Sequence, residues 1–425
     1  MKWGRMDCKS EMTMTDLSFL KILKASVENR PFSDSGHISV QDFRTLIRLA
    51  RKHRVLPLLM DRLYNRTHEN HGEVATVATC RSFRDEAGRL TIDQAQRTAD
   101  FLLFYEKMKN SGLDPAVMKG LILRSLYPEP ELRASVDEDL LIEPGREEEY
   151  HRFLVDNGFM PVDPKADLLS EFELSYENPE TGIYLELHKT PFSPESEAYS
   201  DCNRFFENAL ERTVCIEAYD TSIRTLCPTD HLLYLICHAY KHFLHGGFGI
   251  RQVIDIGLFT QEYKGEIDWD MITAGCRRLG ILTFSGAIYA ILRNELEMCR
   301  SGLPAELRGD GIDEMPLLRD ILEGGLYGAE DPDRHHSAAV TLDAVSAART
   351  GRRASGLAAA VFPGKVYLKK HYPYAEKHPY LLPVAWAQRI ITYLGNRKEN
   401  DPKKSLSIGR SRVELLREYG ILEKK

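Results

Sequence analysis

The chain has 425 residues, 43% apolar and 28% charged, with a formal net charge of −7. This is the composition of an ordinary globular protein, of a length that predicts two or three domains. The acidic balance excludes a bulk electrostatic pull toward nucleic acid, and eight cysteines without a Cys-x-x-Cys pair read as reduced thiols rather than a disulfide framework.

Up to about Asn110 the pattern predicts helices. Phe43, Leu46, Ile47 and Ala50 recur at helical spacing, Pro57 interrupts, and Leu58, Leu59 and Leu63 begin a second stripe. The stretch TIDQAQRTADFLLFYEKMKNSGL predicts a longer helix that buries Ile92, Ala95, Ala99, Leu102 and Tyr105, with Gly112 just past its end. The pattern changes at Asp114. PAVMKG reads as a strand, LILRSLY as a short helix, PEPELR as a loop and SVDEDLLI as a strand. A helix follows Pro144 and stops at Gly158, and FELSYENPETGIYLELHKT reads as a hairpin. From about Thr221 helices are expected again, the first opening with Pro228, Thr229 and Asp230. Residues 300–357 are Gly- and Ala-rich and define no clear element. The expected class is α+β. Helical regions over 1–112 and 221–425 flank a small mixed sheet with helices over 113–220. No leader-like start and no bilayer-length apolar run occur, so a cytoplasmic location without a membrane span is expected.

Side chains alternate along a strand, so Asp137 and Asp139 share a face, with Cα atoms about 6–7 Å apart. Two adjacent carboxylates repel unless something positive sits between them. Oxygen donors of this kind suit Mg²⁺ (or Mn²⁺), which takes one or two carboxylates together with substrate phosphates. The alternative is a solvated strand end. Three other features bear on the choice. Lys119 and Gly120 stand where a strand meets a helix, a place where backbone N–H groups can bind anions, or simply a tight turn. Arg133 can fork onto a triphosphate or neutralise the acidic run beside it. Glu186 lies on the face of its strand opposite Leu185 and Leu187, together with Tyr184 and His188. Pairing that strand with the aspartate strand would make a cluster of three carboxylates able to hold metal and activate an attacking oxygen.

The succession VMKG, LYPEPELR, VDEDLLI, NGF and YLELH resembles the uncharacterised nucleotidyltransferase family of the DNA polymerase beta-like superfamily. HLLYLICHAYKHF, IRQVIDI, IDWDMI and HYPYAEKHPYLLPVAWAQR extend the likeness over most of the chain from about residue 38. It implies a nucleotidyltransferase sheet and a metal-dependent transfer of an NMP group from an NTP, ATP included, to an unidentified acceptor, with release of pyrophosphate. Asp137, Asp139 and Glu186 are then the catalytic and metal-binding residues, and Lys119, Gly120 and Arg133 contact the nucleotide. Two departures from the wider superfamily stand out. Lys119-Gly120 replaces the usual Gly-Ser and lies further upstream of the aspartates. Glu138, between the aspartates, should point away from the metal. The competing reading is a non-catalytic nucleotide- or partner-binding module that keeps the fold.

His231, Tyr234, His238, Lys241 and His245 form one polar stripe on a helix, either a wall of the active-site cleft or a solvated face. Asp255 is expected to pair with Arg251 one turn earlier. KVYLKKHYPYAEKHPY mixes basic and aromatic residues, a combination that binds single-stranded nucleic acid, although a packed surface segment is the favoured reading.

Overall fold

Side-chain caps start the first helices. Thr13 and Ser39 accept the backbone N–H groups of Asp16 and Asp42, opening α1 (Met14–Val27) and α2 (Val40–Lys52). Pro57 enters α3 (Leu56–Met60) in its first turn, where its missing N–H costs nothing. The computed structural model from which these contacts come describes residues 12–32, 38–65, 77–326, 332–352, 372, 374, 378–395 and 402–423. Most of the basic and aromatic segment at 365–380 lies outside the described residues.

α4 (Val77–Asn110) departs from expectation in the face it buries. Ile92 is 69% exposed and Ala95 and Ala99 are exposed, whereas Gln94, Thr98, Phe101, Tyr105 and Met108 are buried. Two stripes compete on this helix. The buried one carries polar groups with work to do: the Gln94 side-chain oxygen accepts the Ser135 N–H at 2.8 Å. A hydrophobicity pattern cannot reveal a stripe chosen for its hydrogen bonds.

The sheet has seven strands: β1 (Ala116–Val117), β2 (Asp137–Leu141), β3 (Met160–Pro161), β4 (Glu173–Glu177), β5 (Tyr184–His188), β6 (Val214–Ala218) and β7 (Thr221–Thr225). Their order is β3-β4-β5-β2-β1-β7-β6, with β2 parallel to β5 and β1 parallel to β7. α5 (Leu121–Arg124) follows β1 and α6 (Glu147–Asp156) follows β2. β4 and β5 form the expected hairpin. The β6–β7 hairpin corrects the expectation that helices resume at Thr221. Its turn residues, Tyr219 and Asp220, have φ of 53° and 61°. Such a two-residue turn is normally signalled by Asn-Gly or Asp-Gly, and Tyr219-Asp220 is neither.

One face of the sheet is apolar. Leu140, Ile142, Leu174, Tyr176, Leu185 and Leu187 pack there with Phe101, Tyr105 and Met108 of α4 and Tyr150 and Leu154 of α6. The opposite face carries Asp137, Asp139, Glu186 and His188. Among the described residues the C-terminal helices are α7 (Pro228–His245), α8 (Ile250–Tyr263), α9 (Trp269–Leu279), α10 (Leu282–Asn294), α11 (Met315–Gly324), α12 (Pro332–Thr350), α13 (Leu382–Gly395) and α14 (Pro402–Glu418). Phe19, Phe43 and Leu56 from the N-terminal helices share one core with Leu232, Phe243, Phe284 and Leu317. α7 is buried around most of its circumference, His231 included, so its polar stripe is not a solvated face. No described helix is long and apolar enough to cross a membrane.

Candidate active site

The parallel register of β2 and β5 sets Asp137 beside Tyr184, Asp139 beside Glu186 and Leu141 beside His188. Residues far apart in the chain thereby meet on one face. The ligand atoms of Asp139, Glu186 and His188 lie within 4.8 Å of one another. Asp139 is 1% exposed. Its Oδ1 is 3.0 Å from Lys119 Nζ and 3.2 Å from His188 Nε2. Its Oδ2 is buried and has no hydrogen-bond partner among the described residues. His188 Nε2 also lies 3.6 Å from Glu186 Oε2, and its Nδ1 lies 3.7 Å from Glu173 Oε2. Asp137 sits nearer the mouth of the site. Its carboxylate is 3.8 Å from Lys119 Nζ, so Lys119 bridges the two aspartates.

The electrostatics follow from burial and from these partners. Burial opposes ionisation of Asp139, but the charges of Lys119 and His188 outweigh it and hold the carboxyl below its ordinary range. Burial also opposes a charged His188, yet its bonds to Asp139 and Glu186 push it up to about 9. Burial raises the Glu186 carboxyl, and its Asp139 and Glu173 neighbours add to the rise. Beyond Lys119 stands His238, whose Nε2 is 3.0 Å from Lys119 Nζ and 3.0 Å from His242 Nε2. Burial and the Lys119 charge hold His238 well below its usual value. The neutral ring therefore accepts from the ammonium. Of the histidine stripe, His238 meets Lys119. His231 meets Thr225 Oγ1 at 3.3 Å, and His245 meets the Tyr199 hydroxyl at 3.1 Å.

Gly120 has φ 52°, and a Cβ there would stand 1.8 Å from Glu138 Oε2. Glu138 turns away from the aspartates, accepts the Leu121 N–H at 2.8 Å and pairs with Arg124. Arg133 is buried. Its Nε and Nη2 donate to the two Asp255 oxygens, each at 2.8 Å, and the Tyr127 hydroxyl adds a third bond at 2.8 Å. Asp255 thus pairs with Arg133 rather than with Arg251, which donates from Nη1 to the Ala134 carbonyl. A buried carboxylate is better matched by a two-pronged guanidinium from a facing loop than by a neighbour on its own helix. A cleft adjoins these groups, lined by Lys119, Gly120, Arg133, Asp137 and Asp139 together with Arg251 and Gln252 of α8. Sequence reasoning assigned no role to His188 or Gln252, whereas His238 belongs to the stripe read as a wall of the cleft, which it lines. The shared strand parity of His188 and Glu186 was the available signal for the first.

A model of the uncharacterised nucleotidyltransferase family matches residues 39–294. The chain belongs to that family. The match takes in the whole sheet and ends with α10, leaving α11 to α14 outside it. A crystal structure of an antigenic nucleotidyltransferase-like protein from Paracoccidioides brasiliensis is similar over 48% of this chain and 93% of its own, at 13% identity and a TM-score of 0.31. No curated protein matches this chain.

Proposed function

We propose that this protein is a metal-dependent nucleotidyltransferase that moves an NMP group from an NTP to an acceptor and releases pyrophosphate. The observation that carries this reading is a buried Asp139 whose Oδ2 has no partner among the described residues, held against Glu186 and His188 on a polar sheet face. An orphaned carboxylate oxygen is costly to bury unless a ligand satisfies it. The donors also fit a hard divalent cation: Asp137, Asp139 and Glu186 would hold Mg²⁺ or Mn²⁺ through oxygen. When bound, the ion would neutralise charge on the substrate phosphates.

The chain's own groups account for the rest of the proposed chemistry. Lys119, Gly120 and Arg133 line the cleft, and Lys119 reaches both aspartates, 3.0 Å from Asp139 and 3.8 Å from Asp137. Glu186 completes that metal set or, left free of the ion, serves as the general base. As the base it takes the proton of an acceptor hydroxyl as the acceptor oxygen bonds to the α-phosphorus. The bond from that phosphorus to the β-bridging oxygen breaks, and pyrophosphate leaves with the electron pair. Positioning and charge neutralisation supply most of the rate in such a transfer. The test is incubation with each labelled NTP and Mg²⁺ or Mn²⁺, followed by pyrophosphate detection and mass analysis across acceptor pools of sugars, small amines and alcohols, proteins and RNA. Glu186→Gln should bind the NTP within a few-fold of the parent and lose most transfer. A parent that binds NTP and never releases pyrophosphate would favour the non-catalytic module.

A further inference from the structure

The start of α5 offers the nucleotide little. Its Leu121 N–H is taken by Glu138, and the same carboxylate fills the space beside Gly120 that a side chain would occupy. The fork of Arg133 is committed to Asp255. Besides Lys119, α8 brings polar side chains to the same cleft.

Gly249 caps α8, a helix of 14 residues, so Arg251 and Gln252 lie in its first turn. The backbone donors there are largely used: Ile250 N–H meets His53 Nδ1 at 3.2 Å, and Gly249 N–H meets Gln252 Oε1 at 2.8 Å. That second bond orients the Gln252 amide, because only its oxygen can face a donor. Its Nε2 is consequently turned the other way. Gln252 is 8% exposed and lines the cleft, and its Nε2 is buried with no hydrogen-bond partner among the described residues. Arg251 lines the cleft beside it and adds a positive charge at the positive end of the helix dipole. Asp255, one turn on, is already neutralised by Arg133.

We infer that Arg251 and Gln252 form an anion-binding arm that grips the polyphosphate of the substrate, in the cleft that Asp137 and Asp139 also line. This assignment rests on the nucleotidyl-transfer reading for the identity of its ligand. Arg251 supplies charge, and Gln252 supplies a pre-oriented amide donor that an oxygen of the leaving pyrophosphate satisfies. The arm thus recognises phosphates without regard to the base or the acceptor.

The experiment uses the full chain, Mg²⁺ and sodium tripolyphosphate as the probe, which has no nucleoside to confuse the reading. Gln252→Glu keeps an oxygen for the Gly249 N–H and replaces the donor with a negative charge. Arg251→Met keeps the stem and removes the charge. Each should lower tripolyphosphate affinity by calorimetry at least about tenfold. A third measurement needs no variant: tripolyphosphate should slow hydrogen exchange in residues 249–253 of the wild-type protein. Unchanged affinity in both variants, unaltered exchange, or no tripolyphosphate binding by the parent overturns the arm. Its failure is distinguishable from failure of the nucleotidyl-transfer reading. NTP turnover insensitive to both substitutions removes the arm and leaves the transfer. Tripolyphosphate binding lost in both variants, with no pyrophosphate released from any NTP, keeps the arm and removes the transfer.

Discussion

Replacing Gly120 by Ala tests the junction that holds Lys119 against the aspartates. The substitution imposes two costs. Gly120 has φ 52° and ψ −106°, a conformation that side chains rarely adopt; holding Ala there costs about 1–3 kcal/mol. The new methyl would also fall 1.8 Å from Glu138 Oε2, well inside van der Waals contact, so Glu138 must move. Moving it breaks the 2.8 Å bond from the Leu121 N–H, a charge-assisted bond worth about 1.5–3 kcal/mol. The pair with buried Arg124 loosens with it. Gly120→Ala should therefore cost about 3–6 kcal/mol, a large share of the stability of a typical domain. The assay is urea unfolding of Gly120→Ala in two backgrounds, the parent and Glu138→Ala. With the Glu138 side chain gone the clash disappears, and only the backbone cost of about 1–3 kcal/mol should remain. Equal costs in the two backgrounds, or no cost in the parent, would refute the reasoning.

Three further expectations concern the site and its surroundings. Mg²⁺ or Mn²⁺ should raise the melting temperature of the parent but not of Asp137→Asn or Asp139→Asn, measured by calorimetry over a metal titration, because only the ionised carboxylates bind the ion. Arg133→Ala should destabilise the fold by about 3–5 kcal/mol in urea unfolding, since it leaves Asp255 buried without its partner, and Arg133→Ala with Asp255→Asn should recover most of that loss. Burial holds His53 down to about 3 and His231 down to about 4, below the unfolded value of about 6.5. The unfolded chain therefore binds more protons between pH 6.5 and 4, and stability falls as pH falls through that window. Each histidine should account for about 2 kcal/mol between pH 7 and pH 5, and His231→Gln should shrink the measured difference by that amount.

Local chemistry was legible in the sequence. Period-two alternation in VDEDLLI and YLELH placed Asp137 and Asp139 on one strand face and Glu186 with His188 on another, because strand geometry depends only on neighbouring residues. The same reasoning turned Glu138 away from the aspartates, and the family motifs drew on these spacings. What the sequence could not state was which distant groups meet. Parallel pairing of β2 with β5, and hence Asp139 beside Glu186, is a non-local choice made by the packing of the apolar sheet face on α4 and α6. The β6–β7 hairpin escaped notice because the Tyr219-Asp220 turn is held by its strands and not by its own preferences. α4 carries two stripes, and only the position of Ser135 shows why the one with Gln94 is buried. The grip of Arg133 on Asp255, the seating of Glu138 against Gly120 and the orphaned amide of Gln252 likewise arise where segments far apart in the chain close on one another. Residue spacing encodes the direction a side chain takes from its own backbone, and only tertiary packing decides what it finds there.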